Sequence, residues 1–142
     1  MTDAEGERPA PFSVPIDVRL RDVDFMGHVN NAVYATYLEQ ARAAFFREVL
    51  AEPLEQADTV LASLDLQYRR PIAAEQSVRV DLAVSELGTS SIPMSYAIVA
   101  DGEQAATATT VQVVIDRETG DSRPIPADWR DRLERYLDSL ER

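Results

Sequence analysis

Residues 22–42 read DVDFMGHVNNAVYATYLEQAR, and within them a carboxylate, the chain's only histidine and two asparagines stand just ahead of a long apolar stretch. Asp24 precedes His28 by four residues, and Asn30-Asn31 falls where a helix should begin. An asparagine at a helix start accepts a hydrogen bond from a first-turn N–H that has no partner inside the helix. With Asn30 in that place, the N–H of Ala32 or Val33 is satisfied and that of Asn31 stays free. A free amide at the positive end of a helix, beside an acidic side chain, suits a reaction whose transition state gathers negative charge on oxygen. The same residues also admit a purely architectural use, with Asp24 closing a turn and the asparagines serving as turn and cap.

Other chemistries lack their residues. There is no cysteine, hence no thiol nucleophile, disulfide or cysteine-rich metal site. No serine sits in a Gly-x-Ser-x-Gly elbow. One histidine makes a poor metal centre, so no metal is expected. Fourteen arginines and no lysines against 25 acidic residues give a net charge of −11, which argues against a nucleic-acid or anionic-membrane surface. An anionic ligand must then meet positive charge gathered locally, and Arg69-Arg70 is the best such pair, with a solvated rim as its other reading.

The elements that must position these groups follow from periodicity. The 142 residues suit a single domain, with residues 1–11 expected as a disordered leader and 12–142 as the folded unit. The start is acidic and polar, and no apolar run approaches ~18 residues, so a soluble, cytoplasmic protein is expected. Val14, Ile16, Val18 and Leu20 alternate with polar residues and Pro15 as a half-buried strand would. Over residues 31–50 the period changes to three and four, through Val33, Tyr34, Tyr37, Leu38, Ala41, Phe45 and Val49, which predicts a long helix covered on more than one side. Strands are predicted near 59–69, 77–87, 91–101 and 105–116, with hairpins at Gly88-Thr89-Ser90 and Asp101-Gly102. Pro124 and Pro126 precede a second helix with Trp129, Leu133, Leu137 and Leu140 along one stripe. The fold class is α+β, an antiparallel five-stranded sheet wrapped around one long helix, with a short C-terminal helix.

In this order of elements the chain resembles the hot-dog fold, and specifically the 4-hydroxybenzoyl-CoA thioesterase-like acyl-CoA thioesterases. The resemblance spans about residues 13–120. It is carried by D-x-x-x-H-V-N-N-x-x-Y at Asp24 to Tyr34, E-x-A-R at Glu39 to Arg42 and Y-R-R-P at Tyr68 to Pro71. It implies that Asp24 is the catalytic carboxylate, either a nucleophile passing through a mixed anhydride or a base acting on water. It implies that the Asn31 amide, seven residues later, holds the thioester carbonyl, with Asn30 beside it. His28 has either a catalytic or positioning role, or a loop-fixing hydrogen bond. A similar string in plant acyl-ACP thioesterases has Asn where this chain has Met26, so that mechanism does not carry over whole. Hydratases of the same fold space the acid and histidine one residue further apart.

Glu39 lies two helical turns beyond Asn31, the depth of the catalytic glutamate in another thioesterase branch, and is otherwise expected to pair with Arg42 at i+3. Tyr34, Tyr68, Arg69 and Arg70 are expected to line the substrate site, the arginines gripping CoA phosphates. Ser90 and Ser91 occupy a hairpin turn that lies near the ligand in similar proteins. The resulting expectation is an acyl-CoA thioesterase acting as a homodimer or homotetramer with sites between subunits, CoA arriving as part of the substrate. An acyl-ACP thioesterase and a non-catalytic acyl-CoA-binding module are the alternatives.

Overall fold

Between Val33 and Val49 there is neither glycine nor proline, and the computed structural model, which describes residues 11–137, forms one continuous helix there, α1. The expected leader falls outside the described residues except for Pro11, as does Leu140. Helix α1 buries Tyr34, Tyr37, Leu38, Ala41, Phe45 and Phe46 along the predicted stripe. Complete burial of a Leu or Phe side chain contributes roughly 1.5–3 kcal/mol, so this stripe dominates the helix's stability. The helix stops where Ala51 takes a left-handed conformation (φ 58°), the Glu52 N–H turns back to the Phe46 carbonyl at 3.1 Å, and Pro53 follows.

Five strands form one antiparallel sheet: β1 (Phe12–Ile16), β2 (Thr59–Tyr68), β3 (Val78–Val84), β4 (Ser91–Ala100) and β5 (Glu103–Val114). Their order across the sheet is β1-β3-β4-β5-β2. Both predicted hairpins form, and Asp101 (φ 49°) with Gly102 (φ 81°) makes the left-handed pair a tight hairpin needs. The link from β2 to β3 is not a hairpin, since β2 lies at the far edge against β5. Helix α1 crosses the sheet on the β1–β3 side, where Phe12 meets Phe45 edge to face at 5.3 Å. A short helix α2 (Ala127–Glu134) closes one end with Trp129 and Leu133, while Leu137 lies beyond it, bridged to Val84.

Two predicted details are corrected. Strand β1 ends at Ile16 because its ladder partner β3 begins at Val78, so that Val18 and Leu20 have no ladder partner among the described residues. The chain turns instead through a 3₁₀ segment, Leu20–Asp22, and Leu20 faces solvent. Nor does Glu39 pair with Arg42. Arg42 shares the buried stripe with Leu38 and Phe45, and its Nη1 donates to the Tyr96 hydroxyl at 3.3 Å, while Glu39 stays exposed.

The buried Arg42 has no carboxylate within ion-pair distance among the described residues, and its Nε–H has no hydrogen-bond partner there. Tyr96 has a separate 2.7 Å hydrogen bond to Thr110 and does not depend on the guanidinium. Arg42→Met, which keeps the apolar stem and removes an unpaired buried cation, is therefore expected to raise stability by about 1–4 kcal/mol in urea unfolding. A fall in stability would show that the guanidinium has a compensating partner.

Candidate active site

Asp22, Asp24 and the helix start are joined by a small antiparallel ladder. The Asn30 N–H donates to the Asp22 carbonyl and the Asp24 N–H to the His28 carbonyl, each at 2.8 Å, with Val23 bridged to Val29 between them. The ladder is tied to the segment after β2 by the Val29 N–H bonding the Ile72 carbonyl and by the His28–Ala73 bridge. At its tip the Gly27 N–H returns to the Asp24 carbonyl, and Gly27 supplies the left-handed φ of 84° that the turn requires.

Asp22 anchors the loop from inside. Its buried carboxylate accepts from the Tyr37 hydroxyl at 2.8 Å and from the Arg19 N–H at 2.9 Å. Burial by itself would raise this carboxyl, but the Arg19 backbone N–H, the Tyr37 hydroxyl and the Arg19 guanidinium together hold it below the usual carboxylate range. Burial, reinforced by Asp22, pushes the Tyr37 phenol up, so it remains a donor.

Asp24 is half-buried and divides its oxygens. Oδ1 accepts the N–H groups of Met26 (2.9 Å) and His28 (3.2 Å), while Oδ2 has no hydrogen bond among the described residues. The turn-closing use of Asp24 is therefore present, and it leaves one oxygen available for chemistry. His28 joins the loop through its backbone; its imidazole makes no hydrogen bond among the described residues.

At the helix start the Asn30 side chain accepts the Ala32 N–H at 2.9 Å and the Asn30 carbonyl accepts the Val33 N–H at 2.9 Å. Asn30 thus acts as the cap although regular helix begins only at Val33, a difference within the usual ambiguity of helix ends. The Asn31 N–H is left without a partner among the described residues. Its carbonyl accepts the Tyr68 hydroxyl at 2.8 Å.

Asn31, Tyr34, Tyr68, Arg69, Arg70 and Pro71 together line a cleft of about 270 Å³. Tyr34 packs edge to face on Tyr68 at 4.9 Å and donates to the Arg70 carbonyl at 3.3 Å. Burial, then Tyr68, raises the Tyr34 phenol, so it too stays neutral. Arg69 reaches Thr107 and Arg70 reaches Glu103 at 3.4 Å, both on the exposed rim where such contacts are weak and exchangeable. A larger hollow of about 330 Å³ lies on the outer face of the sheet among Ser95, Thr107 and Thr109, away from Asn31.

Two groups of predicted residues fall elsewhere in the chain. Glu39 borders a separate hollow with Gln40, Ala43 and Leu54. Ser90 and Ser91 sit at the other end of the sheet: Ser91 pairs with Val113, whereas Tyr68 pairs with Ala106, roughly 24 Å away along β5. Asp22 and Tyr37 are positioning residues that the sequence did not single out: Tyr37 stood only in the apolar stripe of α1, and the Tyr37–Asp22 bond joins residues 15 apart.

The family model of the thioesterase-like superfamily matches residues 18–133. The chain belongs to the thioesterase-like superfamily. It is 38% identical to a thioesterase from Thermus thermophilus whose crystal structure holds coenzyme A and Zn, with a TM-score of 0.81 over 88% of this chain and 92% of that one. It is 27% identical to the long-chain acyl-CoA thioesterase FadM of Escherichia coli over 86% of this chain and 96% of FadM. YsmA of Bacillus subtilis is 29% identical over 77% of this chain and 76% of its own length. The protein is thus a thioester hydrolase with the hot-dog fold. Among the described residues of this thioesterase, no group of three or more His, Cys, Asp or Glu side chains is placed to hold a metal ion.

The Asp22–Tyr37 bond yields a prediction about acid stability. Because the folded Asp22 carboxyl lies below its ordinary value of 3.8, its contribution to stability is complete above that pH and is lost as pH falls through the lower folded value. Tyr37→Phe removes one of the bonds that lower it, so less stability remains to be lost in acid and the loss is complete at a higher pH. At neutral pH the variant is expected to lose about 1.5–3 kcal/mol, the worth of a hydrogen bond to a charged group. Urea unfolding of both proteins at neutral pH and near ~pH 3 checks this, and the gap should narrow in acid.

Proposed function

We propose that this thioesterase hydrolyses acyl-CoA, with Asp24 as nucleophile or general base and the Asn31 N–H as donor to the thioester oxygen. The observation that carries the reading is the Asn31 N–H at the start of α1, without a partner among the described residues, in a cleft whose rim bears Arg69 and Arg70. One such donor is worth about 3–4 kcal/mol of transition-state stabilisation. In the reaction, Oδ2 of Asp24 either attacks the carbonyl or takes a proton from a water that does. The tetrahedral oxyanion rests on the Asn31 amide, and its collapse expels the CoA thiolate. If Asp24 attacks directly, water then cleaves the mixed anhydride and returns the carboxylate. His28, held at the loop tip by its backbone, has its imidazole free to approach the substrate.

The arginine pair is proposed to meet CoA phosphates, Arg70 exchanging Glu103 for the ligand. CoA enters as part of the substrate and no resident cofactor is required. The active species is proposed to be a homodimer or a dimer of dimers acting in the cytoplasm. Among the described residues no helix is long and apolar enough to cross a membrane.

Asp24→Asn retains an oxygen that can accept from Met26 and His28, so the loop should stay folded while kcat falls by ~10²-fold or more. Glu39→Gln, altering an exposed side chain away from the cleft, should keep most activity. Turnover of short, long and aromatic acyl-CoAs measures both variants. Loss in Glu39→Gln with retention in Asp24→Asn would move the carboxylate role to the helix, and retention in both would remove the acid mechanism.

Arg69→Ala combined with Arg70→Ala should raise KM for acyl-CoA more than it lowers kcat, because phosphate binding is similar in ground and transition states. An acyl-pantetheine thioester, which lacks those phosphates, should be cleaved almost as before. Equal damage with both substrates would overturn the phosphate role.

A further inference from the structure

The N–H proposed to meet the thioester oxygen belongs to the peptide that joins Asn30 to Asn31. That peptide is set from within, its carbonyl accepting the Val33 N–H at 2.9 Å. The next peptide, joining Asn31 to Ala32, has its N–H on the Asn30 side chain at 2.9 Å, and its carbonyl accepts the Tyr68 hydroxyl at 2.8 Å. The Tyr34 N–H also points at this carbonyl, but at 3.4 Å. Among these bonds only that of Tyr68 comes from outside the helix start, from a residue 37 positions along the chain. The others lie within residues 30–34 and would turn with that segment as one body.

Such a segment needs an outside hold, because regular helix begins only at Val33 and residues 30–32 lie ahead of its regular hydrogen bonding. Asp22 supplies one hold through the Asn30 N–H, on the side of the Asp24 loop. Tyr68 supplies another from the end of β2, which with the residues after it forms the other wall of the cleft.

Tyr68 has a firm base. It ends β2 in register with Ala106, and the N–H groups of Arg69 and Arg70 both bond the Ala105 carbonyl, at 2.8 and 3.0 Å. Its ring packs edge to face on Tyr34, whose own hydroxyl crosses back to the Arg70 carbonyl. The two tyrosines therefore clasp α1 and β2 in both directions. They differ in exposure, Tyr34 being 1% exposed and Tyr68 48%. Water can take the place of an exposed hydroxyl as donor, so the Tyr68 bond adds little to stability. Its effect is on direction.

We propose that Tyr68 is a positioning residue for thioester hydrolysis, its hydroxyl fixing the Asn31 backbone so that the N–H is aimed at the thioester oxygen. The role rests on the acyl-CoA hydrolase reading. A donor stabilises an oxyanion most when it is aimed before the charge develops. Without the Tyr68 bond the helix start can swing away from β2, and small misplacements of a reacting group cost rate steeply. The loss falls on kcat, since the bond to oxygen is stronger in the transition state than in the bound substrate.

Tyr68→Phe tests this, keeping the ring on Tyr34 and deleting only the hydroxyl. The thermal midpoint should stay where it is. The expected change is a kcat about tenfold lower with KM nearly unchanged, the same for acyl-CoA and acyl-pantetheine. A second readout follows the Asn31 backbone amide by NMR in isotope-labelled protein. The probe is a ketone analogue of acyl-CoA with methylene in place of sulfur, which offers a carbonyl oxygen and is not hydrolysed. In wild type the Asn31 amide proton should move downfield with the analogue and not with CoA alone. In Tyr68→Phe the movement should be much smaller.

An unchanged kcat would overturn the proposal. So would a raised KM with kcat intact, which would make Tyr68 a substrate contact only. A fall in kcat with the Asn31 response intact would also overturn it, because the phenol would then act on the substrate directly. If wild type cleaves no acyl-CoA, the hydrolase reading fails separately, and the hold is read in the free protein by hydrogen exchange. There Tyr68→Phe should speed exchange at Ala32 and Val33, and unchanged rates would overturn the hold.

Discussion

A buried carboxylate with two donors fixes the geometry on which the site depends. Asp22 sits where β1 has run out of ladder partners, and its side chain joins the Arg19 N–H to the Tyr37 hydroxyl on α1. Its carbonyl holds the Asn30 N–H. One residue therefore ties the strand exit, the first turns of the helix and the return of the loop. The cost of burying its charge is offset only while those donors remain in place. Loop and helix consequently adopt one relative position, and the Asn31 amide inherits that position without a side-chain contact of its own.

The division of labour at Asp24 explains how a loop residue can be held still for chemistry. A carboxylate has two oxygens with several lone pairs, and here one oxygen closes the turn while the other stays open. Turn residue and reactive group were competing readings of the sequence, yet the geometry makes them compatible. Under the proposed mechanism, the turn bonds remove rotational freedom from the same group whose second oxygen meets the substrate. A glutamate would place its oxygens one methylene further from the backbone and would disturb that local closure.

The hairpins and the long helix were legible because their signals are local. Positive-φ residues mark the β4–β5 turn, and three- and four-residue spacing marks α1. The Asn30 cap was equally legible, since its bond spans only two residues. What escaped detection was set by tertiary neighbours. Leu20 continues the alternation of β1, but no sheet partner extends that far. Arg42 is well spaced to pair with Glu39, yet it lies on the stripe that α1 buries and turns to Tyr96, 54 residues away. Asp22 and Asp24 have the same residue type in the same segment, and only the position of Tyr37 in space separates an anchoring carboxylate from an available one.

The charge distribution bears on how such a site selects its ligand under the proposed reading. A chain with net charge −11 repels a CoA ester at long range, though at physiological salt that field fades over about 8 Å. Recognition must then come from groups within contact distance. Arg69 and Arg70 answer this requirement because both are exposed and their present contacts, with half-buried Thr107 and exposed Glu103, are easily exchanged. An ion pair that already neutralises an arginine at the rim lowers the cost of leaving it unliganded, while its weakness in water lets a phosphate displace the glutamate. The released carboxylic acid and CoA are both anionic. The acidic surface that slows approach therefore also favours departure, leaving local contacts at the cleft to decide which thioester stays long enough to react.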